Sequence, residues 1–223
     1  MHWALINGSP RGTRGNTAIL LDHFVRGLQR AGCSTEMGLL SLPHGHVAAK
    51  HLFRNSERVL IAFPLYTDSM PGLVMEFFES LAEFCGRANN PSLAFFVQSG
   101  FPEAGQSRAV EHWLGLLAKR LGTPHLGTII KGGIEGIQAM PPAMTRGLFR
   151  KIEQLGYDLG SNDRLDPAGL RRLAGPDWFS RFRLLFLRPW IRMGAASYWN
   201  GKLKANRAFD RRFDRPFAES SSM

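Results

Sequence analysis

The sequence predicts a three-layer α/β fold with a doubly wound, five-stranded parallel sheet, followed by a basic, mostly helical C-terminal extension. Three observations carry that prediction. Short apolar runs alternate with amphipathic stretches through the first 160 residues. The run Arg58 to Pro64 (RVLIAFP) is apolar on both faces, as a strand buried between two helical layers must be. The first run, ending at Asn7, opens into a glycine-rich loop that leads straight into a helical pattern.

In order along the chain, Trp3 to Asn7 reads as the first strand. Leu20, Phe24, Leu28 and Ala31 then recur at helical spacing over Asn16 to Ala31, with Gly32 as the stop. Thr35 to Leu40 is the second strand and residues 46–56 a weak helix. Arg58 to Pro64 is the central strand, and Leu73 to Cys85 an apolar helix. Leu93 to Gln98, Ser107 to Leu121, His125 to Ile130 and Pro142 to Leu159 complete the alternation. Gly160-Ser161-Asn162-Asp163 reads as a linker, dividing a domain over 1–160 from an extension over 161–223 that packs on the core or on a partner subunit. In doubly wound folds ligands bind outside the carboxyl ends of the strands, so the loops there are the candidates.

Composition narrows the class. A hydrophobic share of 44% supports a real core. Two cysteines, Cys33 and Cys85, have no metal-ligand spacing and make no disulfide scaffold. No basic segment followed by an apolar stretch precedes the first strand, so a reducing, cytoplasmic setting is expected. The net charge of +10 is uneven: residues 1–163 carry 15 Lys+Arg against 13 Asp+Glu, whereas residues 164–223 carry 13 against 5. Basic character belongs to the tail, which argues against the whole molecule being a nucleic-acid binder.

Gly8-Ser9-Pro10-Arg11-Gly12-Thr13-Arg14-Gly15-Asn16-Thr17 joins a strand to a helix. Small residues let the backbone curl around an anion, and the helix start offers free N–H groups and a favourable dipole. Ser9, Asn16 and Thr17 add short hydrogen-bonding groups, and Arg11 and Arg14 supply charge. It has neither Walker nor GxGxxG spacing; an ordinary capped turn is the plainer alternative. Two further loops lie at the same edge. Pro64-Leu65-Tyr66-Thr67-Asp68-Ser69-Met70-Pro71-Gly72 offers the flat wall of amides with apolar and aromatic cover that a planar ring needs. Gln98-Ser99-Gly100-Phe101-Pro102-Glu103 can bring the Ser99 and Gly100 N–H groups to a ring edge where negative charge develops.

The segment GSPRGTRGNT resembles the phosphate loop of the NADPH-dependent FMN reductase and flavodoxin-like oxidoreductase superfamily. The second loop is similar to that superfamily's P-x-Y-x-x-S-x-P-G loop. The third, together with Lys131-Gly132-Gly133-Ile134-Glu135-Gly136, resembles an FMN-dependent subgroup, and the stretch from Tyr198 to Phe217 is similar to that subgroup's tail. The resemblance implies a flavodoxin-like sheet in the order 2-1-3-4-5. It also implies FMN held by Ser9, Pro10, Arg11, Asn16 and Thr17 at the phosphate, with Pro64, Leu65, Tyr66, Thr67, Asp68, Ser69, Met70, Ser99, Gly100, Phe101 and Glu103 around the ring. Electrons would pass from NADPH or NADH through FMN to a small-molecule acceptor such as a quinone, nitro or azo compound, or flavin, in a homo-oligomer. A flavodoxin-style electron carrier is the alternative. Related iron–sulfur flavoproteins carry cysteines after the second strand; here that region reads Leu42-Pro43-His44-Gly45-His46, so no such cluster is expected.

Other signals weigh less. His44, His46 and His51 read as solvated rather than as a metal site. Glu103 and Glu135 read as loop carboxylates and no catalytic side chain is assigned, because the redox chemistry would be the cofactor's. Trp113, among Leu114, Leu116 and Leu117, reads as core. In the tail, Arg181, Arg183, Pro189, Arg188 and Arg192 interrupt the aromatic stretch Trp178 to Trp199 and exclude a transmembrane helix. Two readings stay open for it: an arm packed on protein, or an interfacial helix making weak contact with an anionic membrane surface.

Overall fold

A computed structural model describes residues 1–215. Five strands form one all-parallel sheet in the order β2-β1-β3-β4-β5. They are β1 (His2–Asn7), β2 (Ser34–Leu39), β3 (Arg58–Pro64), β4 (Ser92–Gln98) and β5 (His125–Lys131). The flavodoxin-like, doubly wound fold expected from the sequence is the fold observed. β3 and β4 are buried almost throughout, which is why their sequences are apolar without alternation. β2, at one edge, is largely exposed and correspondingly polar.

Helices cover both faces. On one, α1 (Asn16–Arg30) and α5 (Pro142–Asn162) bury Leu20, Leu21, Phe24 and Leu28 with Ile152, Leu155 and Leu159 against Trp3, Leu5, Leu60 and Phe96. On the other, α2 (Gly45–Asn55), α3 (Gly72–Ser80) and α4 (Arg108–Leu121) bury Phe53, Phe77, Phe78 and Leu114 against Ile61, Phe63 and Phe95. α1 and α5 cross at glycines. A Cβ on Gly27 would lie 2.1 Å from the Glu153 carbonyl oxygen, and one on Gly156 would lie 2.3 Å from that of Phe24. Only bare backbone lets the two helices meet this closely.

Three boundaries differ from the sequence reading. The apolar helix from residue 72 stops at Ser80, and Leu81–Phe84 continue as a 3-10 turn. Residues 160–163 are not a linker. α5 runs through Asn162, Gly160 packs on Ala31 and Cys33, and the Arg58 guanidinium donates twice to Asp163 at 2.7 and 2.8 Å. Beyond them α6 (Pro167–Ala174), capped by Asp166 accepting from the Ala168 and Gly169 amides, adds Leu173 to the first core. The chain divides into compact units at Met1–Trp178 and Phe179–Met223. The second unit is built on α7 (Arg181–Ala205), which Ser180 caps and which continues through Pro189.

Trp113 is not core. It lies on the outer side of α4 and is 41% exposed, its ring 5.6 Å from that of Phe78. Helical neighbours alone do not say which face of a helix a tryptophan occupies.

Candidate functional site

The strands β3, β4 and β5 end in register at Pro64, Gln98 and Lys131, and β1 ends at Asn7 beside Ala62, two residues before the end of β3. The three predicted loops leave the sheet at this edge. They converge on one cleft lined by Ser9, Arg11, Asn16, Pro64, Leu65, Tyr66, Gln98, Ser99, Gly100 and Glu135.

The first loop is shaped by its own hydrogen bonds. The Ser9 amide donates to Asn7 Oδ1 at 2.9 Å, and Asn7 Nδ2 donates to the Gly12 carbonyl at 3.3 Å. The Arg11 amide donates to Ser9 Oγ at 3.3 Å. Gly12 takes φ +54°, and a Cβ there would meet Ser41 Oγ at 2.7 Å. A Cβ on Gly15 would lie 2.7 Å from Ser9 Oγ, so a bare backbone closes the loop onto the start of α1. No side chain caps that helix and its first turn carries no acid, which leaves its N–H groups to an anion.

The fourth edge loop braces the first and the third. Asn16 Nδ2 donates to the Ile134 carbonyl at 3.0 Å, and Gln138 Nε2 donates to Asn16 Oδ1 and to the Arg14 carbonyl, both at 3.0 Å. The Gly133 amide donates to the Phe101 carbonyl at 2.7 Å and the Ile134 amide to that of Ser99 at 2.9 Å. A Cβ on Gly132 would lie 2.3 Å from the Phe101 carbonyl oxygen. Burial holds the Lys131 ammonium below the ordinary lysine range, with the Lys151 charge adding to the effect.

The second loop is a tight two-residue hairpin. Tyr66 and Ser69 exchange backbone hydrogen bonds at 2.7 and 3.0 Å, and the residues between them, Thr67 and Asp68, sit at φ +48° and +60°. Such a turn favours glycine and asparagine, so a β-branched Thr67 there is under backbone strain.

The predicted residues divide. Ser9, Arg11, Asn16, Pro64, Leu65, Tyr66, Ser99 and Gly100 meet in the cleft. Pro10 lies on a neighbouring hollow with His44 and His46. Thr17 sits beneath, its Oγ1 accepting from Gln98 Nε2 at 3.3 Å. Thr67 is at the exposed hairpin tip. Asp68, Ser69 and Met70 line a larger, mainly apolar cavity of about 760 Å³ between α3 and α4. Phe101 is exposed and Glu103 half-buried, and neither lines the cleft. Gln98 and Glu135, which the sequence left without a role, do line it; adjacency to Ser99 and to the Gly132-Gly133 turn was their signal. The Ser99 amide is already spent on the Lys131 carbonyl at 3.0 Å, so of the two expected donors only the Gly100 amide can serve a ring edge. His46 is not simply solvated: its ring lies 2.9 Å from the Leu73 carbonyl. Among the described residues no group of three or more metal-ligating side chains is present.

Fold and cleft together define a flavodoxin-like α/β protein with a loop-lined cleft at the carboxyl edge of its sheet. No protein-family model matches the chain, and no curated protein matches it in sequence. Solved structures share its fold. The NAD(P)H:quinone oxidoreductase of Methanothermobacter marburgensis superposes with a TM-score of 0.58 over 71% of this chain and 96% of its own, at 15% identity. An NADH:FMN oxidoreductase does so with 0.54 over 78% and 96%, at 17% identity. A flavone reductase covers 99% of this chain and 100% of its own, with a TM-score of 0.56 and 11% identity.

Proposed function

We propose that the three-loop cleft holds FMN and that the chain is an NAD(P)H-dependent oxidoreductase of a small, flat, conjugated acceptor. One observation carries this reading: the uncapped start of α1 and the Pro64–Tyr66 and Gln98–Gly100 segments border the same cleft. The fold neighbours support it, since quinone, flavin and flavone reductases use this frame.

The residues fit the group. The phosphate suits the free N–H groups of Asn16 and Thr17, the Ser9 hydroxyl and the exposed guanidinium of Arg11. Leu65 and Tyr66 supply an apolar and aromatic wall, and the Gly100 amide a donor to the pyrimidine edge. When bound, the flavin would supply hydride acceptance from nicotinamide and electron delivery to a second substrate. The protein's part is to fix the ring, to set a donor where negative charge gathers, and to leave one ring face open for two substrates in turn. Tyr66, which lines the cleft, would border that face. Quinones, nitro and azo compounds and free flavins share the required flatness.

The homo-oligomer is part of the same proposal. Met75, Trp113 and Leu116 leave apolar surface on α3 and α4, with Glu79 and Arg120 as opposite charges around the cavity between them. A second copy would cover that face, and Trp113→Glu should then turn the oligomer to monomer in light scattering. An unchanged mass would refute that part. Free Cys33 and Cys85 suit a reducing cytoplasm.

Anaerobic stopped-flow mixing of the FMN-loaded chain with NADPH or NADH tests the enzyme reading. Bleaching of the flavin band, reversed by a benzoquinone, is expected. A flavin that neither nicotinamide bleaches would make the chain an electron carrier.

A further inference from the structure

The second unit, Phe179–Met223, differs from the first in charge and in surface. Residues 179–223 carry ten Lys+Arg against three Asp+Glu, a net +7, which leaves +3 for the 178 residues before them. Large apolar side chains on α7 face solvent: Phe182 is 73%, Leu185 65% and Phe186 61% exposed. They are not scattered. Phe182, Leu185, Phe186 and the exposed Pro189 fall at i, i+3, i+4 and i+7, one stripe along the helix, and the two phenylalanine rings meet edge to face at 4.9 Å. The same spacing sets Arg181 and Arg188 along one flank of the stripe and Arg183 along the other. Past the helix, basic and aromatic groups remain interleaved. Lys204 lies 5.0 Å and Arg212 4.0 Å from the Phe209 ring, and Arg212 also covers Phe213, itself 79% exposed.

We propose that this unit docks on an anionic lipid bilayer, with the Phe182–Phe186 stripe in the headgroup layer and the flanking arginines on the lipid phosphates. Charge complementarity selects this occupant. A second copy of the chain would bring like charge to like charge. A nucleic acid would meet the arginines but would leave Leu185 and Pro189 nothing to stack with. A helix whose apolar stripe is edged by long cations on both sides suits a boundary, because the cations reach outward while the stripe sinks. Among the described residues no helix is long and apolar enough to cross a membrane, so the contact is peripheral. This inference stands apart from the flavin reading, and each can fail without the other.

The test is sedimentation of the full chain with vesicles of phosphatidylcholine alone and of phosphatidylcholine mixed with phosphatidylglycerol. About tenfold more bound protein is expected on the anionic vesicles, falling steeply as salt is raised. Phe182→Ser with Phe186→Ser should lose most of that binding, as should Arg181→Gln with Arg188→Gln. Both pairs are exposed, so the circular dichroism of the variants should match the parent. Equal binding to both vesicle types, no binding to either, or full binding by the Phe182/Phe186 variant would overturn the proposal. So would tighter binding to polyuridylate than to the anionic vesicles, or a dimer that holds the stripe and leaves the vesicles in suspension.

Discussion

Glycine at three places in the cleft region is a demand of distance, joined at Gly12 by a left-handed φ of +54°. Gly12, Gly15 and Gly132 each stand where a methyl group would press on a loop atom. At Gly132 the obstructing atom is a backbone carbonyl, which has no rotamer to yield with. Gly132→Ala should therefore displace the Phe101 loop and cost about 1–3 kcal/mol in chemical denaturation, together with lost FMN retention. Arg11 acts through charge alone. Arg11→Ala should weaken FMN about tenfold, the size of one charge-assisted hydrogen bond, with denaturation unchanged; flavin fluorescence quenching measures it. Lys131 gives a pH dependence. Its folded pKa lies below the unfolded value of 10.5, so the unfolded chain holds more protons between the two values. The penalty is fully present at neutral pH and is relieved as pH rises through the folded value towards 10.5. Lys131→Met should accordingly be more stable than the parent near pH 7, with the difference closing as the solution becomes alkaline; parallel urea melts at several pH values would show it.

Among the elements, strands were the most legible because burial on both faces writes itself as an unbroken apolar run: Arg58–Pro64 is the same segment in sequence and structure. Helix ends were less so. Gly160 reads as a breaker, yet it is small because it packs on Ala31 and Cys33, and a one-dimensional pattern does not distinguish those causes. The Gly27–Gly156 crossing has the same origin. Gly27→Ala should separate α1 from α5 and cost about 1–3 kcal/mol, read as a lower urea midpoint with an unchanged slope; full stability would mean the helices cross elsewhere. The Tyr66–Ser69 hairpin was announced only as a proline- and glycine-rich loop. Its left-handed pair at Thr67 and Asp68 is poorly marked in the sequence, since Asp68 accepts that region but the β-branched Thr67 disfavours it.

For the molecule as a whole, the candidate site was legible to the extent that loops following strands must gather at one edge. Eight of the predicted residues do line the cleft. What the sequence could not distribute was surface within the second loop, whose far side, Asp68 to Met70, turns to the cavity between α3 and α4. It also could not show that the 131–136 loop, through its bonds to Ser99 and Phe101, holds the edge together. A site built from four loops of one sheet couples ligand to global stability. FMN at a hundred times its dissociation constant should add about 2.7 kcal/mol, or roughly 5–11 °C in the melting temperature of a domain this size.

The most direct test of the central claim is the visible absorption spectrum of the chain after incubation with FMN and gel filtration, taken beside the Gly132→Ala variant. The account predicts a flavin spectrum co-eluting with the parent at about one FMN per chain, and little or none with the variant. A parent chain that elutes colourless from excess FMN would contradict the account.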